Sequence, residues 1–96
     1  MPRYIRLTNL TAEGFEEIQQ SASRTEQMKA MAEEMGGEIT DVFLTMGDYD
    51  FVTIAEFPND QMYTQFALRF AEKGAADTHT LKALEEDEYM NIVQSL

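Results

Sequence analysis

Length, charge and cysteine content restrict what this chain can be. Its 96 residues suffice for one domain, because a chain of this size buries only about 60 to 68 % of its unfolded surface and cannot divide into two cores. A formal charge of −11 disfavours nucleic acid and membrane surfaces as partners, and the absence of cysteine excludes disulfides and thiolate metal sites. The chain shows neither a signal pattern nor an apolar run of ~20 residues, so we expect a cytoplasmic protein.

The first third of the chain predicts a strand followed by an interrupted helix. Residues 3–10 alternate with a period of two, which indicates a strand. Thr11 is a candidate N-cap for the helix that follows. The apolar residues of this helix change phase, so we place a break near residues 21–23, where a Ser-x-x-Glu capping box from Ser23 to Glu26 restarts the helix. Gly36 is the expected left-handed residue that ends it.

The middle of the chain predicts a β-hairpin. Residues 39–45 and 51–57 are two apolar, β-branched runs of strand length. Glycine and aspartate tolerate the positive φ angles of a hairpin reversal, and they dominate the intervening turn. The turn consists of Gly47, Asp48, Tyr49 and Asp50. Pro58 ends the second run, because proline cannot extend a β-ladder.

The last third predicts a helix, a strand and a closing helix. Asn59 or Asp60 caps the first of these helices, and Gly74 ends it. Residues 78–84 alternate as a fourth strand, and residues 85–96 place four acidic residues ahead of an apolar helical stripe. The order is therefore β-α-β-β-α-β with a terminal helix. This order predicts an α+β, ferredoxin-like sandwich.

Sorting the strand residues by parity gives two different faces. One face is almost purely aliphatic, and we expect the helices to cover it: Ile5, Leu7, Val42, Leu44, Val52, Ile54, Leu81 and Ala83. The other face mixes aromatic with polar residues, which makes it too apolar to stay exposed. We expect it to form a dimer interface with the sheet of a second copy through Phe43, Phe51 and Phe57. Its polar members are the candidate ligand-binding residues: Tyr4, Arg6, Thr8 and Thr53.

A few side chains are candidates for chemistry. Tyr49 and Asp50 could together hold and polarise a small ligand, although a local structural role is commoner for a turn aspartate. His79 is the only histidine and could act as a general base or haem ligand, but its parity puts it on the aliphatic face. Arg6 could bind a carboxylate through a bidentate fork, or form a salt bridge to Asp41 or to an acidic residue of a partner subunit. We expect neither a metal site nor a cofactor.

At Gly47-Asp48-Tyr49-Asp50 the chain resembles the GYD-domain family, which is named for a Gly-x-Tyr-Asp signature. Further likeness lies in Leu10-Thr11-x-x-Gly14, Met35-Gly36-Gly37 and Thr78-x-Thr80-Leu81. The resemblance implies a single domain over residues 1–96 that pairs as a dimeric α/β barrel, as in the ligand-binding domains of Lrp-type regulators and in cofactor-independent monooxygenases. The family has no established activity, so the resemblance transfers no catalytic residue.

Three functions remain open from the sequence. The favoured one is a homodimer or higher homo-oligomer that binds a small metabolite in an inter-sheet or sheet-helix cavity, with regulation as one use of that binding. The second is a cofactor-independent enzyme of monooxygenase or isomerase type, with His79 or Asp50 as the base and Tyr49 as the donor. The third is a structural interaction protein that docks through residues 85–96. The sequence favours a binding module over an enzyme.

Overall fold

The computed structural model describes residues 1–71, 74 and 76–96. Within these residues a four-stranded antiparallel sheet has the order β2-β3-β1-β4. Its strands are β1 (Arg3–Leu10), β2 (Glu38–Leu44), β3 (Phe51–Glu56) and β4 (Ala76–Ala83). The helices are α1 (Ala12–Glu16), α2 (Ser21–Glu34), α3 (Asp60–Ala71) and α4 (Glu86–Gln94). The predicted α+β, ferredoxin-like fold with a terminal helix is confirmed.

The helical segment after β1 is broken earlier than predicted. α1 ends at Glu16, a 3₁₀ turn occupies Ile18–Gln20, and α2 starts at Ser21 without a side-chain cap. The predicted break near residues 21–23 is therefore present, although it lies a few residues earlier. The predicted capping box to Glu26 is wrong, because its residues already lie inside α2. A 3₁₀ turn has about 3.0 residues per turn instead of 3.6, so it rotates the helix that follows and produces the change of phase.

Other predicted boundaries are confirmed. The hydroxyl of Thr11 accepts a hydrogen bond from the backbone N–H of Gly14 at 3.2 Å and caps α1. The side-chain oxygen of Asn59 accepts one from the backbone N–H of Met62 at 2.9 Å and caps α3. Three glycines have positive φ angles at the end of α2, in the hairpin turn and after α3: Gly36, Gly47 and Gly74.

The helices cover the opposite face of the sheet from the one predicted. Tyr4 and Ala55 are buried, and the ring of Tyr4 stacks on Tyr63 of α3 with centroids 4.3 Å apart. We call this side the covered face. The prediction that the aliphatic face lies beneath the helices is wrong for six residues, which are half-buried or exposed on the other side: Ile5, Leu7, Val52, Ile54, Leu81 and Ala83. We call that side the open face.

Strand β2 departs from simple parity. Its register with β3 shifts between Ile39 and Asp41, so that Ile39 pairs with Ala55 and Val42 pairs with Thr53. An extra residue in one strand reverses the direction of the side chains beyond it. Val42 and Leu44, which pairs with Phe51, therefore lie on the covered side of the sheet, as predicted, although Leu44 is 75 % exposed. The other six members of the predicted aliphatic set lie on the open face.

Aromatic rings form the centre of the core. Phe57 and Phe66 are completely buried, with ring centroids 5.0 Å apart, and the ring of Tyr63 lies 5.6 Å from that of Phe57. Each aromatic side chain buries about 150–250 Å², which explains why the aromatic face, and not the aliphatic one, packs on the helices. The prediction of Phe57 and Phe51 in a dimer interface is wrong, because both lie on the covered face.

The open face and α4 remain uncovered in the single chain. Phe43 and Leu81 on the open face are 52 % and 51 % exposed. No residue of α4 is buried. The chain measures 50 × 31 × 18 Å overall. A considerable apolar surface of it faces outward. The interface role predicted for Phe43 remains a prediction. Among the described residues, no helix has both the length and the apolar character needed to cross a membrane.

Candidate functional site

A cavity of about 120 Å³ lies between the covered face and α2. Three of the four predicted ligand-binding residues line it, namely Arg6, Thr8 and Thr53. A single water needs ~10–15 Å³ of such space, so the cavity has room for a small organic molecule. The rest of its lining comes from β1, α2, the neighbouring strands and α3: Leu10, Ser21, Arg24, Thr25, Met28, Val42, Phe51, Phe70 and Ala76.

Arg6 is the main charged group of this cavity. Its side chain is only 7 % exposed, and its Nε is buried without a hydrogen-bond acceptor among the described residues. Its Nη1 approaches the sulfur of Met28 at 3.9 Å, which is a weak acceptor. No ion pair between described residues involves Arg6. The predicted alternative of a pair with Asp41 is wrong, because Asp41 pairs with Ile54 on the open face.

Aromatic rings surround the guanidinium in place of a carboxylate. The Cζ of Arg6 lies 5.8 Å from the ring centroid of Phe66 and 5.7 Å from that of Phe70. Such cation–π contacts stabilise a charge by about 0.5–2 kcal/mol each. Burial lowers the pKa of the Arg6 guanidinium, whereas nearby Tyr63 acts in the opposite direction. An arginine nevertheless stays charged at neutral pH, so the cavity contains a buried cation for which the described part of the chain supplies no counter-charge.

The second arginine of the cavity differs from the first. Arg24 of α2 forms an ion pair with Glu17, in which Nη2 and the carboxylate oxygen are 2.5 Å apart. Its charge is therefore compensated within the chain. Of the two cationic side chains that line the cavity, only Arg6 lacks an acidic partner among the described residues.

Tyr4, the fourth predicted ligand-binding residue, lies outside this cavity. It borders a separate groove between α3 and β4, where its hydroxyl donates to Asp60 at 2.5 Å. Lys82 pairs with the same carboxylate at 2.9 Å. Burial, followed by the hydrogen bond to Asp60, raises the pKa of Tyr4 to about 12. The hydrogen bonds from Tyr4 and Lys82 lower the pKa of Asp60. These contacts give Tyr4 a structural role.

The signature turn is tied to β1. The carboxylate of Asp50 accepts a hydrogen bond from the backbone N–H of Leu10 at 2.8 Å, and the N–H of Asp50 donates to the carbonyl of Thr8 at 2.8 Å. Gly47 supplies a φ of 134° with open space around it, and Asp48 is exposed. Asp50 therefore fixes the hairpin against the strand that carries Arg6. Its catalytic role remains a prediction.

The remaining candidate catalytic residues lie away from the cavity. His79 pairs with Leu7 on the open face, on the parity predicted for it. Its ring meets that of Tyr49 edge-on, with centroids 6.1 Å apart. The two rings therefore form a contact at the end of the open face, on the other side of the sheet from Arg6. No cluster of three acidic or histidine side chains suited to a metal ion occurs within the described ranges.

Comparison with known proteins identifies the family of this chain. The family model for the GYD domain matches residues 4–93. The chain belongs to the GYD family. This GYD domain is 28 % identical over 85 residues to a Thermus thermophilus protein named "Glutamine synthetase and cystathionine beta-lyase binding protein", and the match covers 88 % of this chain and 90 % of that protein.

Two solved structures resemble this GYD domain in fold. The crystal structure of FFRP-DM1 superposes with a TM-score of 0.63 at 19 % identity, and covers 88 % of this chain and 100 % of that one. The protein PHS023 from Pyrococcus horikoshii gives a TM-score of 0.63 at 19 % identity, and covers 90 % of this chain and 93 % of that one. At these identities the likeness shows a shared fold.

The α2 side of the GYD domain's cavity is not predicted from the sequence. Ser21, Arg24, Thr25 and Met28 all line it. Their spacing of three, four and seven residues places them along one face of a helix. This helical spacing could have predicted that the four residues share one face. A predicted helix break near residues 21–23 separates them and removes the pattern. The ligand-binding role of Arg6, Thr8 and Thr53 itself remains a prediction.

Proposed function

We propose that this GYD domain, residues 1–96, is a non-catalytic, homo-oligomeric module that binds a small anionic metabolite in the cavity between α2 and the covered face. One observation carries the proposal: Arg6 is buried without an acidic partner among the described residues. An uncompensated buried charge destabilises a protein by several kcal/mol, and a bound anion would supply the missing charge. The hydroxyls of Thr8 and Thr53 offer hydrogen bonds beside it.

A regulatory use of this binding involves other proteins. The Thermus thermophilus relative is named for binding two enzymes, which supports an enzyme as a partner of this chain too. α2 forms one wall of the cavity, so an occupied cavity and an empty one present different helix packing to a partner. In this proposal the ligand adjusts the affinity of the module for the partner enzyme.

Anion binding is tested by melting curves in chloride-free buffer with acetate, propionate or phosphate added. A ligand that binds the folded chain raises its melting temperature by mass action. We expect a rise for the wild type and for Arg69→Met, an exposed matched control on α3, and none for Arg6→Met. A rise of equal size in Arg6→Met, or no rise with any anion in the wild type, would overturn the proposal.

Self-association through the open face forms the second part of the proposal. An exposed apolar patch of this kind usually marks an interface in a soluble protein. Phe43→Asp places a charge at its edge, whereas the control Gln65→Asp places one on exposed α3. We expect native mass spectrometry to show a dimer or larger assembly for the wild type and Gln65→Asp, and a monomer for Phe43→Asp. An unchanged mass and melting temperature for Phe43→Asp would contradict this part.

The terminal helix α4 is a second docking element. Its apolar side chains are exposed, including Tyr89 and Ile92 at 53 % each. We expect a chain ending at residue 84 to lose self-association or capture of a partner enzyme while it keeps a cooperative melting transition. Deletion without effect on either kind of association would show that α4 has no docking role.

A second candidate function is a cofactor-independent enzyme, and the contact between Tyr49 and His79 favours it. If two open faces meet, these side chains lie at the seam, where a histidine can act as a base. This candidate expects His79→Ala to abolish turnover of a bound substrate without loss of fold, and Asp50→Asn to reduce it only through the hairpin. Turnover that is indifferent to both changes would exclude it.

A further inference from the structure

The cavity also indicates which class of anion it accepts. We infer, as an extension of the proposed function, that the ligand is a small monocarboxylate with an apolar body and no ammonium group, such as a branched 2-oxo or 2-hydroxy carboxylate. Three features of the cavity carry this inference: one uncompensated positive charge, no acidic lining residue among those described, and a largely apolar wall.

The charge count points to a monoanion. Arg24 is already paired with Glu17, so among the described lining residues only Arg6 supplies a free positive charge. A monocarboxylate neutralises it, whereas a phosphate dianion would leave one negative charge buried and unpaired, which is costly. The unsatisfied Nε of Arg6 also fits the planar carboxylate, because Nε and an adjacent Nη form a fork that matches its two oxygens.

The absence of an acid in the lining disfavours amino acids. None of the described residues that line the cavity is Asp or Glu. An α-ammonium group placed beside Arg6 would therefore meet a like charge and no carboxylate, and its desolvation would not be offset. A carbonyl or hydroxyl oxygen at the same carbon meets a better environment, since Thr53 stands directly opposite Arg6 in the β1–β3 register and can donate to it.

The apolar part of the cavity wall determines the size and polarity of the rest of the ligand. Leu10, Met28, Val42 and Phe51 are apolar, so they suit an aliphatic chain better than a second polar group. At ~10–15 Å³ for one water-sized group, a cavity of about 120 Å³ holds a ligand of roughly eight to twelve non-hydrogen atoms. A five-carbon branched 2-oxo acid has this size.

Isothermal titration calorimetry with four probe molecules tests the inference. The probes are 3-methyl-2-oxobutanoate, valine, 3-methyl-2-butanone and phosphate. The first three share a carbon skeleton and differ in the ammonium or the carboxylate. We expect the 2-oxo acid to bind at least tenfold more tightly than valine or phosphate, and the neutral ketone not to bind. Tighter binding of valine or phosphate that depends on Arg6 would overturn the ligand class and leave the proposed function standing.

Variants separate this failure from failure of the proposed function. Arg6→Met should abolish binding of the 2-oxo acid, and Arg6→Lys, which keeps the charge but loses the fork, should weaken it at least tenfold. Arg69→Met should bind as the wild type does. Thr53→Val should reduce the preference for 3-methyl-2-oxobutanoate over plain 3-methylbutanoate, whereas Thr78→Val on exposed β4 should not. If no probe binds in a manner that depends on Arg6, both the ligand class and the proposed function are overturned.

Discussion

The two faces of the sheet carry different kinds of side chain, and the helices cover one of them. On the covered face, Tyr4 and Phe57 pack with the aromatic rings of α3, and a charged arginine lies among them. On the open face, Ile5 and Leu7 form an aliphatic surface that no helix of the described chain covers. This difference shows that the hydrophobicity of a sheet face does not by itself determine whether the helices pack against it. The partner residues on the helices decide it, because large rings interlock with one another.

Replacement of one phenylalanine on each face is the strongest test of this comparison. Phe57→Ala leaves a large cavity in the core, so we expect it to lower the free energy of unfolding by about 3–5 kcal/mol. Phe43→Ala on the half-exposed open face should lower it by less than about 0.5 kcal/mol in dilute solution. Urea unfolding followed by circular dichroism measures both. Equal losses would mean that the two faces do not differ in the single chain.

A close approach between the α2–β2 connection and the end of β3 gives the next largest effect. A Cβ added at Gly37 would lie 2.6 Å from the carbonyl oxygen of Glu56 and 2.7 Å from the ring of Phe57. Gly37→Ala should therefore lower the free energy of unfolding by about 1–3 kcal/mol through overpacking. The neighbouring exposed residue supplies the control, and Glu38→Ala should stay within about 0.5 kcal/mol of the wild type. A stable Gly37→Ala would show that the contact can relax.

The sequence predicts the fold correctly, but it does not predict which face of the sheet the helices cover. Turn and cap residues such as Gly47 and Thr11 act locally, and their positions are enough to give the order of elements. The assignment of faces depends on Tyr63 and Phe66 of α3, which strand parity does not include, and on the register shift before Asp41, which has no clear local signal. These are tertiary effects, and a pattern within one strand does not contain them.

The site divides in the same way. Arg6, Thr8 and Thr53 share one parity, so their grouping follows from the sequence even though the face was misassigned. The other wall, with Arg24 and Met28, depends on where the helix breaks. The 3₁₀ turn sets that phase, and the sequence pattern places the break a few residues too late. That no acidic side chain of the described residues pairs with Arg6 could only be learned from the packed structure.

Removal of the buried charge on the covered face should have the opposite sign from the core mutations. In the ligand-free chain, Arg6→Met replaces an uncompensated cation by an apolar side chain of similar length. We expect the free energy of unfolding to rise by about 1–2 kcal/mol, because replacement of a buried ion by a hydrophobic residue is often stabilising. For a chain of this size that raises the melting temperature by roughly 4–8 °C for each kcal/mol. A loss of stability would mean that Arg6 is a structural residue.

The smallest expected effect is the pH dependence of the hydrogen bond from Tyr4 to Asp60 at the edge of the covered face. Folding raises the pKa of Tyr4 to about 12, from about 10 in an unfolded chain. The stability that the neutral phenol contributes is therefore complete below pH ~10 and is lost as the pH rises toward ~12. Folding lowers the pKa of Asp60, so its contribution is present above pH ~4 and is lost as the pH falls through the lowered value.

Both pH dependences can be measured as the difference in stability between the wild type and Tyr4→Phe. This variant lacks the phenol hydroxyl but keeps the ring stacked on Tyr63. We expect the difference in urea midpoint to be constant between pH ~5 and ~9 and to narrow on either side, because either titration breaks the same bond. Tyr89→Phe provides the control, since this phenol lies on exposed α4 and its side chain is 53 % exposed. Its difference from the wild type should not change with pH. A Tyr4→Phe difference that is equally flat would show that the bond contributes nothing to stability, and that ring packing alone holds this edge of the covered face.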